Sequence, residues 1–590
     1  MIESLIETIR AAYDPRRHRD LLTALWEQER WFDTPHQRAA AEIARDVLRE
    51  AGLRDVRIVP YAADGRTRYQ DWTTHVAWDC PAAQLRLGEH VLADRFACPQ
   101  AVVYWSGPLE RTAAAVIDGD ALEAIDPQQV AGKFVLTARP PREMKQRVRD
   151  AGALAVVSDY LGETRGADEN TTKWCNTWGD GPGGWYFRAA DAVLPGFCLS
   201  PAAGAELRGQ LAGEADLRVE AFCESRLYEG TGQCVTGVLP GRDPSREVWL
   251  FGHACEQGAH DNCSGVSIYL LAVELLAGLI DAGVLPRPRF SIRAITTEEC
   301  LGMLAFATAD PDLRLRALAG MNVDAVGDAS EPDRPIGVHF GPLSSPNFGW
   351  AVAGEIARLL ADRSGGEYHV RNECEPPSSD DQIADPNCGT PTLWLGTGSG
   401  ATGYHSSADT PEVCCDVSLR CNALLTAAWA YLMADLDDET TKSLLPAATR
   451  WIQEHLLPAE GDDAKRLRRW AAGRMLREPG RWGVAESVYE AAAGQYCPND
   501  AEPLDDLPAG GPRCVRSTWG TCTLETLPAD RTEGLSRWNR WQNAALFWMH
   551  GGHTLPAVER LTRAEVGRVP DGGVEKLAEA LVEADLARRA

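Results

Sequence analysis

The stretch EVWLFGHACEQGAHDNCSGVSIYLLAVELLAGLI, residues 247–280, decides the reading of the fold. Its first seven residues form a short apolar run of the length of a buried strand, and residues 264–280 are apolar over the length of a core helix. Between them lies a polar loop, 254–263. The same alternation continues downstream: Pro286 and Pro288 precede a strand at 289–296, residues 319–327 and 391–396 follow as strands, and a helix at 418–436 closes the unit. Strands alternating with helices from 233 to about 436 predict an α/β layer protein with a largely parallel central sheet.

In such sheets ligands collect at the carboxyl ends of the strands. The first strand ends in His253, and Asp261 stands just before the helix. The next strand ends in Glu298-Glu299, the following one in Asp324, and the turn TGYHSSADT, 402–410, holds His405. Each residue alone has a plain structural explanation, such as a cap, a turn or a carboxylate at a helix N-terminus. Together they give five nitrogen and oxygen donors, suited to zinc at roughly 2.0–2.2 Å but too many for one catalytic zinc with an open position. Two ions about 3.5–4 Å apart would use them all, polarising a carbonyl and generating hydroxide near neutral pH. The doublet then supplies one ligand and one general base.

The order His253, Asp261-Asn262-x-Ser264-Gly265, Glu298-Glu299, Asn322-Val323-Asp324 and Tyr404-His405 resembles the dinuclear zinc aminopeptidases, which include bacterial leucyl aminopeptidases and related carboxypeptidase-like and glutaminyl-cyclase enzymes. The resemblance implies a zinc-exopeptidase-type three-layer α/β sandwich over roughly 30–95 and 226–440. It implies that Asp261 bridges two Zn²⁺ ions, with His253 and Asp324 on one and Glu299 and His405 on the other, and that Glu298 is the general base. Tyr404 would donate a hydrogen bond to the oxyanion. Mn²⁺ or Co²⁺ could fill the same donors, depending on availability.

One departure stands out. The family's His-x-Asp is here His253-Ala254-Cys255, so the orienting role of the Asp falls to Cys255 or Glu256. A branch of aminopeptidase-like chains with a C-terminal winged-helix module also carries His-x-Cys at this point. Asp380 and Asp381, in the run SSDD, are candidates for holding a substrate's α-ammonium, with a solvated turn as the alternative.

Outward from this unit, residues 36–53 read as a helix and 56–62 as a strand, giving the N-terminal part of the catalytic domain, 1–95. Residues 96–225 read as a small β-rich insert resembling a protease-associated domain, which would wall or cover the cleft. Its irregular loop at 168–184, with Trp174 and Trp178, and the nearby Trp185 are candidate lid residues. Residues 441–590 are predicted to be helical, and 555–586 to hold two short helices, a glycine-containing turn and a third helix in a winged-helix-like outline.

Composition bounds the rest. With 590 residues, 44% of them hydrophobic, the chain can build several cores. Its 59 Lys and Arg against 85 Asp and Glu leave a net charge of −26, which argues against nucleic acid as a partner. Seventeen cysteines with no framework spacing read as reduced thiols. The N-terminal segment lacks the pattern of a signal peptide, and no membrane partner is expected, so the expected location is the cytoplasm. The sequence leaves a homo-oligomer open. The expected function is a dinuclear zinc exopeptidase, an aminopeptidase acting on peptides or aminoacyl amides. The alternatives are a small-molecule amidohydrolase or cyclase, and a metal-bearing binding protein without turnover.

Overall fold

The computed structural model describes residues 1–590 apart from 182, 215, 398, 399, 526 and 528. An eight-stranded sheet runs in the order Arg54–Ala63, Gly230–Leu239, Phe290–Glu298, Asp243–Ala254, Ala317–Asp324, Thr392–Gly396, Ile336–Phe340, Val370–Cys374. The four central strands are mutually parallel. Antiparallel pairings flank them on both sides, and the last pair is parallel again, so the sheet is mixed around a parallel centre.

Phe290–Glu298 and Ala317–Asp324 are buried at every position, as expected of strands covered on both faces. Alternation along strand Asp243–Ala254 divides two cores: Val248 and Leu250 join the core holding helices Cys263–Asp281 and Asp416–Ala434, while Trp249 and Phe251 join the one holding helix Leu301–Ala309. Helix Cys263–Asp281 is long and apolar enough to cross a membrane, yet 89% of its apolar window is buried inside the protein.

A second sheet of seven strands begins at Ala77–Leu87 and includes His90–Asp94, both of them expected in the first unit. It ends with Arg218–Tyr228, which passes almost directly into Gly230–Leu239 of the large sheet. The boundary expected near 96 therefore falls earlier, because the 77–94 hairpin pairs with Arg218–Tyr228 and not with the large sheet.

The loop at 168–184, expected as a lid, packs against the 405–407 turn, its Pro182 lying outside the described residues. Trp174 and Trp178 are buried, and the Trp174 backbone N–H donates to His405 O at 2.8 Å. All seventeen cysteines are free thiols.

The C-terminal part holds helices Asp438–Trp451, Asp462–Arg477 and Glu486–Ala493. A three-stranded sheet follows, packed with helices Arg540–Trp548, Leu555–Val566 and Gly573–Glu583. The 555–586 block has two helices and not three: Leu555–Val566 runs unbroken from its Thr554 cap with Pro556 in the first turn, where proline is tolerated. This part is fastened to the turn after Asp380–Ala384, between two strands of the large sheet, by the Arg516–Asp385 ion pair at 2.8 Å, both side chains fully buried.

Candidate active site

Loop 254–262 owes its shape to Asn262. Its side-chain oxygen accepts from the N–H groups of Gly265 and Ala325, and its amide donates to the carbonyls of His253 and Val323. One side chain thus ties two strand ends to the start of the helix. A Cβ on Gly265 would collide with Asn262 Oδ1 and with the Val323 carbonyl, so the packing requires glycine there. Asp261 is held beside these strand ends.

His253 Nε2 lies 3.8 Å from Asp261 Oδ1 and 3.7 Å from Asp324 Oδ1. His405 Nε2 lies 3.3 Å from Asp261 Oδ2. Glu256 joins both sides, with Oε2 3.9 Å from His253 Nε2 and 3.6 Å from His405 Nε2. His253, Glu256 and Asp261 form a compact group of the kind that holds a metal ion. Glu299 lines the same cavity of about 520 Å³, with Tyr404, Trp185 and Trp538 on its walls.

The donor chemistry fits a metal. His253 Nε2, His405 Nε2, Glu299 Oε2 and Asp324 Oδ1 are all buried without a hydrogen-bond partner, a costly condition unless a cation meets them. Charge tells the same story. Burial pushes Asp324 well above the usual carboxylate range against the pull of His253, and pushes Glu299 up to about 7 against Arg537. Burial also works against the charged forms of His405 and His253. Glu256 and Asp261 nevertheless raise His405 to about 9, and Asp324 leads the groups that raise His253 well above its ordinary value. Burial would raise Asp261, but the two histidines hold it far below. The backbone is strained here as well: Cys255, Cys300, Ala325 and His405 adopt left-handed φ of 71°, 59°, 52° and 52°.

The two expected substrate contacts look different in the structure. Asp380, expected against substrate, lies behind His253, with Oδ2 3.2 Å from Nδ1, and also accepts the Cys300 N–H at 2.6 Å. The orienting carboxylate thus comes from another loop, and neither Cys255 nor Glu256 occupies that place. Asp381 accepts the N–H groups of Ser378 and Ser379 in its own turn and is buried, because those two backbone donors have to be satisfied. Glu298 points into a narrow side chamber with Tyr104, Trp174 and Tyr186, which adjoins the main cavity along Glu256 and Glu299.

Glu298 Oε2 accepts from Tyr61 and meets His75 Nε2 at 2.8 Å. His75 Nδ1 faces the Val76 carbonyl at 2.8 Å, which can only accept, so Nδ1 carries a hydrogen. The Nε2–Glu298 contact therefore carries a second proton. Burial disfavours the charged His75, but Glu298 outweighs it and raises the imidazole. Tyr404 stacks on His405 at 3.9 Å between ring centroids, and burial raises its hydroxyl well above the ordinary value, which keeps it a donor.

Sequence reasoning missed Tyr61, His75, Arg537 and Trp538, and placed Glu256 only as a substitute for an orienting aspartate. None of the first four lies within the strand-helix unit that carried the motif, and no spacing links them to it.

Solved structures resemble this chain in fold. A Clostridium acetobutylicum crystal structure matches over 100% of this chain and 100% of its own, at 15% identity and a TM-score of 0.52. The Peptidase M28 precursor from Shewanella amazonensis SB2B matches over 74% of this chain and 96% of its own, at 16% identity and a TM-score of 0.51. BSAP, a zinc aminopeptidase from Bacillus subtilis, matches over 72% of this chain and 96% of its own, at 18% identity and a TM-score of 0.49. No curated protein matches the chain. The first two likenesses are likenesses of fold. Residues 235–430, which supply His253, Glu256, Asp261, Glu299, Asp324 and His405, match the model of Peptidase family M28.

Proposed function

We propose that this chain is a zinc-dependent exopeptidase, an aminopeptidase that hydrolyses an N-terminal peptide or aminoacyl-amide bond. The observation that carries the reading is the convergence of four buried, unpartnered donor atoms, on His253, Glu299, Asp324 and His405, from separate strand ends and turns. His253, Asp261 and Asp324 would hold one zinc, and Asp261, Glu299 and His405 a second, with Glu256 in reach of both histidines. When bound, zinc supplies Lewis acidity toward the scissile carbonyl and toward water.

The chain's own groups do the rest. Tyr404 donates a hydrogen bond to the oxygen on which charge develops. Glu298 takes a proton from the attacking water and returns it to the leaving nitrogen; Tyr61 and His75 hold Oε2, which leaves Oε1 for the transfer. Trp185 and Trp538 narrow the cavity, so the substrate is a chain end or a compact amide. That enclosure also favours a second reading, hydrolysis or cyclisation of a small-molecule amide. Seventeen free thiols support a reducing compartment, the cytoplasm.

The test is the zinc content of purified wild type and Asp261→Asn, measured with hydrolysis of aminoacyl anilides bearing a free or an acetylated amine. About two zinc per chain, reduced in the variant, with cleavage only of the free amine, is the expected result. Cleavage of both substrates favours the amidohydrolase, and zinc without cleavage favours a binding protein.

A further inference from the structure

The C-terminal part contributes Trp538 to the wall of the cavity that His253, Asp261, Glu299 and Asp324 line. Arg537 is almost fully buried, and its Nη2 lies 3.7 Å from Glu299 Oε1, a contact between charges at a distance too long for a hydrogen bond. Among the described residues Glu299 is its one carboxylate within 4.0 Å. Its Nη1 donates to Cys300 Sγ at 3.1 Å. The guanidinium is clamped between aromatic rings from three parts of the chain, 3.7 Å from the Trp538 ring, 4.2 Å from Trp185 and 4.7 Å from Trp72.

The placement is rigid. Trp72 Nε1 donates to Thr521 O at 3.0 Å, and Gln382 Oε1 accepts the Thr521 N–H at 3.0 Å. Arg516 pairs with Asp385, in the turn that follows Asp380. The C-terminal part is thus fastened to the loop behind His253 and reaches across to Glu299.

On Glu299 the two oxygens differ. Oε1 faces Arg537 and accepts from Ser379 Oγ at 3.2 Å, whereas Oε2 is buried without a partner. We propose that Arg537 is a positioning residue for Glu299, holding one carboxylate oxygen so that the other faces the metal cluster, and that the C-terminal part thereby completes the site. This rests on the metal-dependent reading above. The physical reason is that a metal ligand needs a fixed orientation, which partners around it provide. A buried guanidinium in turn needs a carboxylate to offset its desolvation.

The test is zinc affinity of the full-length protein, by competition with a chromophoric chelator, for wild type, R537Q, R537K, E299Q and the double variant E299Q/R537Q. The expected result is zinc binding about 10–100-fold weaker in R537Q, with part of the loss recovered in R537K. In the E299Q background, R537Q is expected to add less than about twofold, because both changes remove one interaction.

Wild-type affinity in R537Q, or a further tenfold loss on adding R537Q to E299Q, overturns the proposal. The comparison of E299Q with E299Q/R537Q removes both charges together and stands even where R537Q alone does not fold. Wild type that binds no zinc defeats the functional reading itself, whereas wild type that binds zinc beside an unaffected R537Q defeats only the role of Arg537.

Discussion

Asp380 Oδ2 lies 3.2 Å from Nδ1 of His253, across 127 positions of sequence. The same carboxylate takes the Cys300 N–H through its other oxygen, so one buried side chain fixes both a candidate metal ligand and the end of the strand that carries Glu298 and Glu299. It holds His253 with Nε2 directed at Asp261 and Asp324. The thiol at Cys255 is free of that duty.

Asp380→Asn should therefore act through the metal. An amide keeps one acceptor oxygen but loses the charge that holds the imidazole, and zinc affinity should fall about 10–100-fold with a parallel loss of kcat/KM. Asp381→Asn, which disturbs only its own turn, should lower the melting temperature and leave KM unchanged. Chelator competition and steady-state kinetics on the two variants separate the roles, and a raised KM in Asp381→Asn would restore it as a substrate contact.

Glu298→Gln should cut kcat by about 10²–10⁴ and leave zinc content at the wild-type level, the signature of a proton-transfer group that is not a ligand. Glu256→Gln should do the reverse and weaken zinc binding, since Glu256 Oε2 lies within 4 Å of both histidines. Metal analysis beside single-turnover rates reads both.

His75→Ala should lower kcat at least about tenfold by freeing the Glu298 oxygen that it holds. His75→Gln, which can still donate to that oxygen, should recover part of the rate. Equal losses in the two variants would mean that His75 only fills space.

Glu565 gives a pH test away from the metal. It accepts from the Leu343 N–H and from Trp548 Nε1, and burial pushes its carboxyl up to about 7. The folded state then holds a proton that the unfolded chain, near 4.3, has already released, so stability declines as pH rises from about 4.3 toward 7 and levels off above. The decline is on the order of 3–4 kcal/mol for this group. Glu565→Gln should flatten the curve between pH 5 and pH 8 in urea unfolding. An unchanged slope would show that Glu565 is ionised throughout.

Chelation of the purified protein should abolish hydrolysis and lower the melting temperature, and added zinc should restore both. At zinc about 100-fold above its Kd the gain in stability is about 2.7 kcal/mol per independent site. A melting temperature unmoved by chelation would show that the cluster binds no metal when folded.

The strand-helix alternation from 233 to 436 was legible because buried strands and a buried helix must be apolar over characteristic lengths, whatever surrounds them. The positions of His253, Asp261, Glu299, Asp324 and His405 were legible for a related reason: parallel strands bring their carboxyl ends to one side of the sheet. The two-helix form of 555–586 and the start of the second sheet at Ala77 were harder to read, since both depend on which segments pair and pack across long separations.

The sequence by itself determined the α/β layer, which follows from local periodicity, and set His, Asp and Glu side chains at the strand ends and following turns, where they are candidate metal donors by residue type. Only the tertiary structure decided that Asp380 orients His253, that Tyr61 and His75 hold Glu298, and that Arg537 reaches Glu299. Those contacts join residues separated by 127 to 238 positions and lie between separate strands, loops and modules, where no periodicity operates and burial of charge dictates the partner.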